Sequence, residues 1–235
     1  MSYTFLLFDL DNTLLDFDQA EEAALTQLFR SAGVSDSHAY KDYYRPLNQS
    51  LWRQLEKQEI SKQELVDTRF SKTFAHFGQQ VDGRELARRY QDFLGQQGQL
   101  LEGADSLLAT LMEWGFSLYA ATNGVTAIQE RRLLHSSILP YFKQVFISEQ
   151  LGTQKPSVDF FESVLQQIGC TNKGEVLMIG DSLTADIRGA QLAGIDSIWY
   201  NPKQEENTTA YLPTYTVASY AELLALLQGH RAERK

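Results

Sequence analysis

The chain opens on a short apolar run, Tyr3 to Phe8, with no helical periodicity and too few residues for a stable helix. It reads as a buried strand that ends where two carboxylates, Asp9 and Asp11, appear. From Asp16 to Gly98 the pattern turns helical. Asp18 and Glu21 have capping-box spacing, Leu25, Leu28, Phe29 and Ala32 recur at i, i+3, i+4 and i+7, and Gly33 is a natural stop. Further helices are expected around 38–56, 61–77 and 82–97, with no strand among them. Tyr43, Tyr44, Trp52, Phe70, Phe74 and Phe77 recur there at helical spacings, which predicts core packing.

From Gly98 onward strands and helices alternate. The pattern predicts a helix over 103–114, a strand over 116–121, a helix over 125–135 and a strand over 144–147. A helix over 156–169 follows, opened by Pro156, then a strand over 176–179, a helix over 184–193 and a strand over 197–200. Residues 201–213 read as a surface loop, the last helix starts near Tyr220, and the basic tail from Arg231 should fray. Repeated strand–helix units of this length predict an α/β fold with a parallel sheet covered on both faces. The expected division is a core of residues 1–15 and 98–235 with an inserted all-helical unit over 16–97.

Composition narrows the possible chemistry. The 235 residues are 43% hydrophobic, enough for a packed core, and carry a formal charge of −9. No basic block stands out, so a nucleic-acid polymer or an anionic membrane is not an expected partner. Any anionic ligand must therefore be held by a local metal, lysine or oriented backbone amides. The single cysteine, Cys170, excludes an internal disulfide framework, and no apolar stretch reaches the roughly 20 residues of a spanning helix. His38, His76, His135 and His230 lack metal-ligand spacing, and Arg131-Arg132 read as a solvated helix face. The expected location is cytoplasmic.

Four features fall at predicted strand ends or in the loops after them: Asp9 with Asp11, Thr122-Asn123-Gly124, Lys155-Pro156, and Gly180-Asp181 with Asp186. Taken singly, each is an ordinary loop, cap or surface residue. Together, in order and at one edge of a sheet, they fit phosphoryl transfer, which needs fixed positive charge and donors around the equatorial oxygens. Asp9 and Asp181 can supply hard oxygen ligands to Mg²⁺. Lys155 can neutralise phosphate charge, Thr122 and nearby amides can donate to it, and Asp11 can exchange a proton.

The same residues resemble the four motifs of the haloacid dehalogenase superfamily: Asp9-Leu10-Asp11-Asn12-Thr13, Thr122, Lys155, and Gly180-Asp181 with Asp186. The resemblance spans essentially the whole chain and implies a Rossmann-like core with residues 16–97 as a helical cap. It implies that Asp9 is the nucleophile forming an aspartyl-phosphate, Asp11 the general acid/base, and Lys155 the residue orienting Asp9 and the phosphoryl group. Leu10, Asp11, Thr122 and Asn123 would join Lys155 in binding phosphate. Mg²⁺ would be held by Asp9, the Asp11 carbonyl and Asp181, with Asp186 behind them. Asp11 argues for a phosphate ester, since the superfamily's haloacid dehalogenases lack this second carboxylate.

Leu14-Leu15-Asp16-Phe17 and Ala121-Thr122-Asn123-Gly124 are most similar to the YjjG/YfnB type of pyrimidine 5′-nucleotidase. The expected activity is therefore Mg²⁺-dependent hydrolysis of nucleoside 5′-monophosphates, pyrimidine favoured. Arg45, Asn48, Trp52 and Arg69 are the cap residues expected at the substrate. A sugar-phosphate phosphatase or phosphoglucomutase-like enzyme of the same superfamily is the alternative, and a non-catalytic nucleotide-binding module a second.

Overall fold

The computed structural model describes residues 3–230. The chain divides into two units, Met1–Phe17 with Gly98–Lys235, and Asp18–Gln97.

The first unit is built on β1 (Phe5–Phe8), β2 (Ser117–Thr122), β3 (Gln144–Ile147), β4 (Val176–Gly180), β5 (Asp196–Tyr200) and β6 (Tyr215–Val217). All pair in parallel, in the order β3-β2-β1-β4-β5-β6. A parallel sheet buried on both faces has continuous apolar strands, and β2 and β4 are buried at every position. The period of two still sorts the side chains. Leu6, Phe8, Leu118, Leu177 and Ile198 share one core with Leu107, Leu111, Leu223 and Leu227. Leu7, Tyr119 and Met178 point the other way, onto Phe160, Phe161, Val164 and Ala190.

The helices, in chain order, are α1 (Phe17–Ser31), α2 (Ser37–Glu56), α3 (Lys62–His76), α4 (Gly83–Gly95), α5 (Ala104–Glu113), α6 (Thr126–Leu134), α7 (Ser148–Leu151), α8 (Val158–Gln167), α9 (Arg188–Ala193) and α10 (Tyr220–Gln228). The second unit is helical throughout, and its α2, α3 and α4 begin at Asp36, Ser61 and Asp82, whose side chains accept a backbone N–H of the first turn. Tyr44, Phe70 and Phe74 are buried there, as their spacing predicts, whereas Tyr43, Trp52 and Phe77 are only half-buried.

Several local expectations change. α1 starts at Phe17, so Asp18 lies inside the first turn and not at a cap, and Glu21 is buried against Arg45. Ser157, not Pro156, opens α8: its hydroxyl accepts the Asp159 N–H. The expected helix over 184–193 is two pieces, a wide π-type turn over Leu183–Ile187 and then α9. β6 is an edge strand of three residues that the pattern does not reveal, because the run is too short to show alternation. The tail from Arg231 lies outside the described residues.

Candidate active site

The carboxyl end of the sheet gathers all four motifs of the first unit. Asp9 directly follows β1, and its N–H continues the ladder to the Ile179 carbonyl at 2.8 Å. The next residues turn back sharply. Leu14 and Leu15 both donate to the Leu10 carbonyl, and Asn12 takes a positive φ of 58°, which asparagine tolerates better than most residues. Tyr220 pins this loop by donating its hydroxyl to the Thr13 carbonyl at 2.7 Å.

Lys155 reaches the centre of the site from the segment between α7 and α8. Its ammonium, 1% exposed, donates to Asp9 Oδ1 at 2.7 Å, to the Ala121 carbonyl at 2.7 Å and to Asp186 Oδ1 at 2.6 Å. Three donors thus meet three acceptors, so the amine is fully used. Burial alone would lower its pKa, but the Asp186 and Asp9 carboxylates outweigh that and raise it. The Lys155 backbone is fixed in turn by Asn123, whose side-chain amide receives the Lys155 N–H at 2.9 Å and donates to its carbonyl at 2.8 Å. The Asn123 side chain thus clamps the Lys155 backbone.

The π-type turn explains how Asp186 comes to Lys155. It carries the Asp186 carboxylate back over the end of β4, where Oδ2 accepts the Ser182 N–H at 3.1 Å. Gly180 leaves the room: a Cβ there would overlap that carboxylate. Asp181, one residue on, has its carbonyl held by Trp199 Nε1 at 2.8 Å. No N–H or O–H among the described residues donates to its carboxylate.

Asp9, Asp181 and Asp186 each offer a carboxylate oxygen, and these lie within 4.8 Å of one another. Asp9 is pushed up to about 7, first by burial and then by Asp186 and Asp11, although Lys155 pulls it down. Asp181 is raised well above the usual carboxylate range, by burial and by its acidic neighbours Asp9 and Asp186. Three crowded carboxylates facing one ammonium make a deficit of positive charge. Hard oxygen donors, one of them without a hydrogen-bond partner, fit a small divalent cation such as Mg²⁺.

Opposite this cluster stands a second polar group. Asp11 Oδ1 pairs with Arg132, and Asp11 Oδ2 accepts from Gln129 Nε2 at 2.9 Å. The same Gln129 nitrogen donates to Thr122 Oγ1 at 2.9 Å. Arg132 is completely buried, so it is not the solvated residue the sequence suggests. Gln129 and Arg132 are the site residues that the motifs do not reveal. A signal for them exists: they share a helical face with buried Ile128 and Leu133, so they interrupt an apolar stripe.

The helical unit contains the remaining candidates. Arg45, Asn48 and Trp52 lie along α2, and Arg69 on α3 approaches Asn48, with Nη1 at 3.5 Å from Oδ1. The Arg69 guanidinium lies over Tyr90 and Phe70, at 4.8 and 5.3 Å from their ring centres. Arg45 is committed to Glu21 and Glu22. Glu21 is pushed up to about 6, chiefly by burial, against the pull of Arg45 and Arg69. Its folded form holds more protons than the unfolded one between pH 4.5 and about 6, so its contribution to stability falls as pH rises through that window. Glu21→Gln removes this term. The Tm difference, variant minus wild type, should therefore grow across the window and level off above it; a difference that shrinks with rising pH would contradict the assignment.

Comparison with known proteins agrees with this geometry. The model of the haloacid dehalogenase-like hydrolase family matches residues 6–200. The chain is 60% identical to the pyrimidine 5′-nucleotidase PynA of Streptococcus pneumoniae, covering 100% of this chain and 99% of that one. It is 30% identical to the pyrimidine 5′-nucleotidase YjjG of Escherichia coli, covering 98% and 100%. The crystal structure of the HAD-hydrolase YfnB of Bacillus subtilis, bound to magnesium, superposes with a TM-score of 0.92 at 41% identity, covering 97% of this chain and 99% of that one. With its motifs at one sheet edge and matches over nearly its full length, the chain belongs to the haloacid dehalogenase-like hydrolase family.

Proposed function

We propose that the protein is a Mg²⁺-dependent phosphomonoesterase that hydrolyses nucleoside 5′-monophosphates, pyrimidine nucleotides foremost, through an aspartyl-phosphate. The observation that carries the chemistry is the pairing of Lys155 with Asp9, beside an Asp11 that is present and held by its own partners. The substrate class rests on the 60% identity to a pyrimidine 5′-nucleotidase.

In this reading Lys155 holds Asp9 Oδ1, which leaves Oδ2 as the attacking oxygen. Asp9 Oδ2 forms a bond to phosphorus as the bond to the 5′-oxygen breaks, and Asp11 gives that oxygen a proton. Asp11 then takes a proton from water; the water oxygen attacks phosphorus and releases Asp9. Thr122, Lys155 and the backbone amides of Leu10, Asp11 and Asn123 hold the equatorial oxygens through both steps. Asp9, the Asp11 carbonyl and Asp181 would hold Mg²⁺, and Asp186 would keep Lys155 in place. The ion supplies charge neutralisation at the phosphoryl oxygens. The helical unit is the cap, and Arg45, Asn48, Trp52 and Arg69 are its side chains assigned to the nucleoside. With a metabolite as substrate, the reading carries a cytoplasmic location.

Phosphate release from a panel of nucleoside 5′-monophosphates and sugar phosphates, with Mg²⁺ and with EDTA, tests the substrate class. Release from pyrimidine nucleotides that EDTA abolishes is expected. A preference for sugar phosphates would keep the chemistry and overturn the nucleotide assignment. Isomerised sugar phosphate with little net release would point instead to a mutase.

A further inference from the structure

Arg132 carries a full positive charge, which guanidinium groups do not lose in proteins, yet no part of its side chain is exposed. The Phe17 ring lies 5.7 Å from its guanidinium carbon. Burying a charge is costly unless it is compensated, and Asp11 is an anionic partner in direct contact with it. Asp11 itself is about one-third exposed, at 30% of its side chain, so its other face is open to a ligand.

Gln129 adds the second half of the arrangement. Its Oε1 lies 3.3 Å from Arg132 Nη1, and its Nε2 donates to both Asp11 and Thr122. The opposite amide orientation would set Oε1 against the Asp11 carboxylate and Nε2 against Arg132, so the network fixes this one. Thr122 Oγ1 also accepts the Gly124 N–H at 3.0 Å. Both of its acceptor positions are then filled, and its own proton is left to donate elsewhere. Gly124 is part of the same device, because a Cβ there would overlap the Gln129 side chain.

We propose that Arg132 and Gln129 are positioning residues for the reaction: Arg132 holds the Asp11 carboxyl group at the leaving oxygen, and Gln129 aims the Thr122 hydroxyl proton at the phosphoryl group. The inference rests on the reading of Asp11 as general acid/base. It makes one face of α6 part of the catalytic apparatus, although α6 supplies no group that touches the reacting atoms.

Single-turnover release of the leaving group separates the two claims. The leaving group of deoxyuridine 5′-monophosphate is the nucleoside 5′-alkoxide, which needs a proton; that of p-nitrophenyl phosphate is a stabilised phenolate, which does not. Asp11→Asn should slow the nucleotide by at least about 100-fold and the aryl ester far less. Arg132→Met should show the same selectivity, at about 10- to 100-fold. The double variant should be no slower on the nucleotide than Asp11→Asn alone, since Arg132 acts through Asp11. Arg132→Lys keeps the charge and should recover part of the nucleotide rate, and it stands in where Arg132→Met does not fold. If the Arg132 variants slow both substrates equally, or their loss multiplies with that of Asp11→Asn, the positioning role is wrong. If Asp11→Asn itself slows both equally, the acid/base reading falls instead.

Discussion

Replacing Asp9 with asparagine should abolish turnover and leave the protein folded. The loss should be at least about 10⁴-fold, as expected when a covalent nucleophile is removed from an otherwise intact site. Stability should move differently. Asp9 is buried and pushed up to about 7, so above that pH its charge is a cost to the folded state, relieved as pH falls. Asp9→Asn removes one of three crowded carboxylates, and Lys155 keeps Asp186 and the Ala121 carbonyl. In EDTA at pH 8 the variant should therefore melt no lower than the wild type. A variant that lost activity together with several degrees of Tm would point to a folding defect and not to a missing nucleophile.

Lys155→Met should do the reverse and damage both properties. The substitution keeps much of the volume but leaves Asp9 and Asp186 buried without their cation. Breaking a buried pair in this way costs about 3–5 kcal/mol, against roughly 0–1 kcal/mol for an exposed one. Urea unfolding at pH 8 in EDTA should show that loss, and it should narrow at lower pH as Asp9 takes up a proton. Turnover should fall by about 10²–10³-fold, the range for removing one preorganised charge at a developing oxyanion. Adding Asp186→Asn restores the charge balance, so the double variant should regain stability without regaining activity. Recovery of activity as well would mean that Lys155 is structural.

The arrangement of the sheet is largely legible in the sequence because three of its strands, β1, β2 and β4, run directly into residues that carry chemistry. Asp9 closes an apolar run, and Thr122 and Gly180 end two others, so a change from apolar to chemical character marks the sheet edge. Lys155 is legible as a motif member only. Its contacts depend on Asn123 holding its backbone from 32 residues away, which no local pattern carries. Arg132 is hidden for a physical reason: two adjacent arginines on a helix usually both reach water, and here α6 turns one of them inward onto Asp11. The break between the π-type turn and α9 is hidden too, since Leu183 to Ala193 has the composition of one continuous helix. The extra width of that turn is what brings Asp186 back to Ser182 and Lys155.

The most direct test of the account is to catch the phosphoryl group on the protein. Asp11→Asn should still be phosphorylated by p-nitrophenyl phosphate, whose leaving group needs no proton, but should hydrolyse the adduct slowly because the base is gone. Acid-quenched mass spectrometry of that variant in Mg²⁺ should show close to one phosphoryl group per chain, on the peptide carrying Asp9, after a matching burst of p-nitrophenol. An adduct on any other residue, or steady p-nitrophenol release with no adduct and no burst, would contradict Asp9 as the nucleophile.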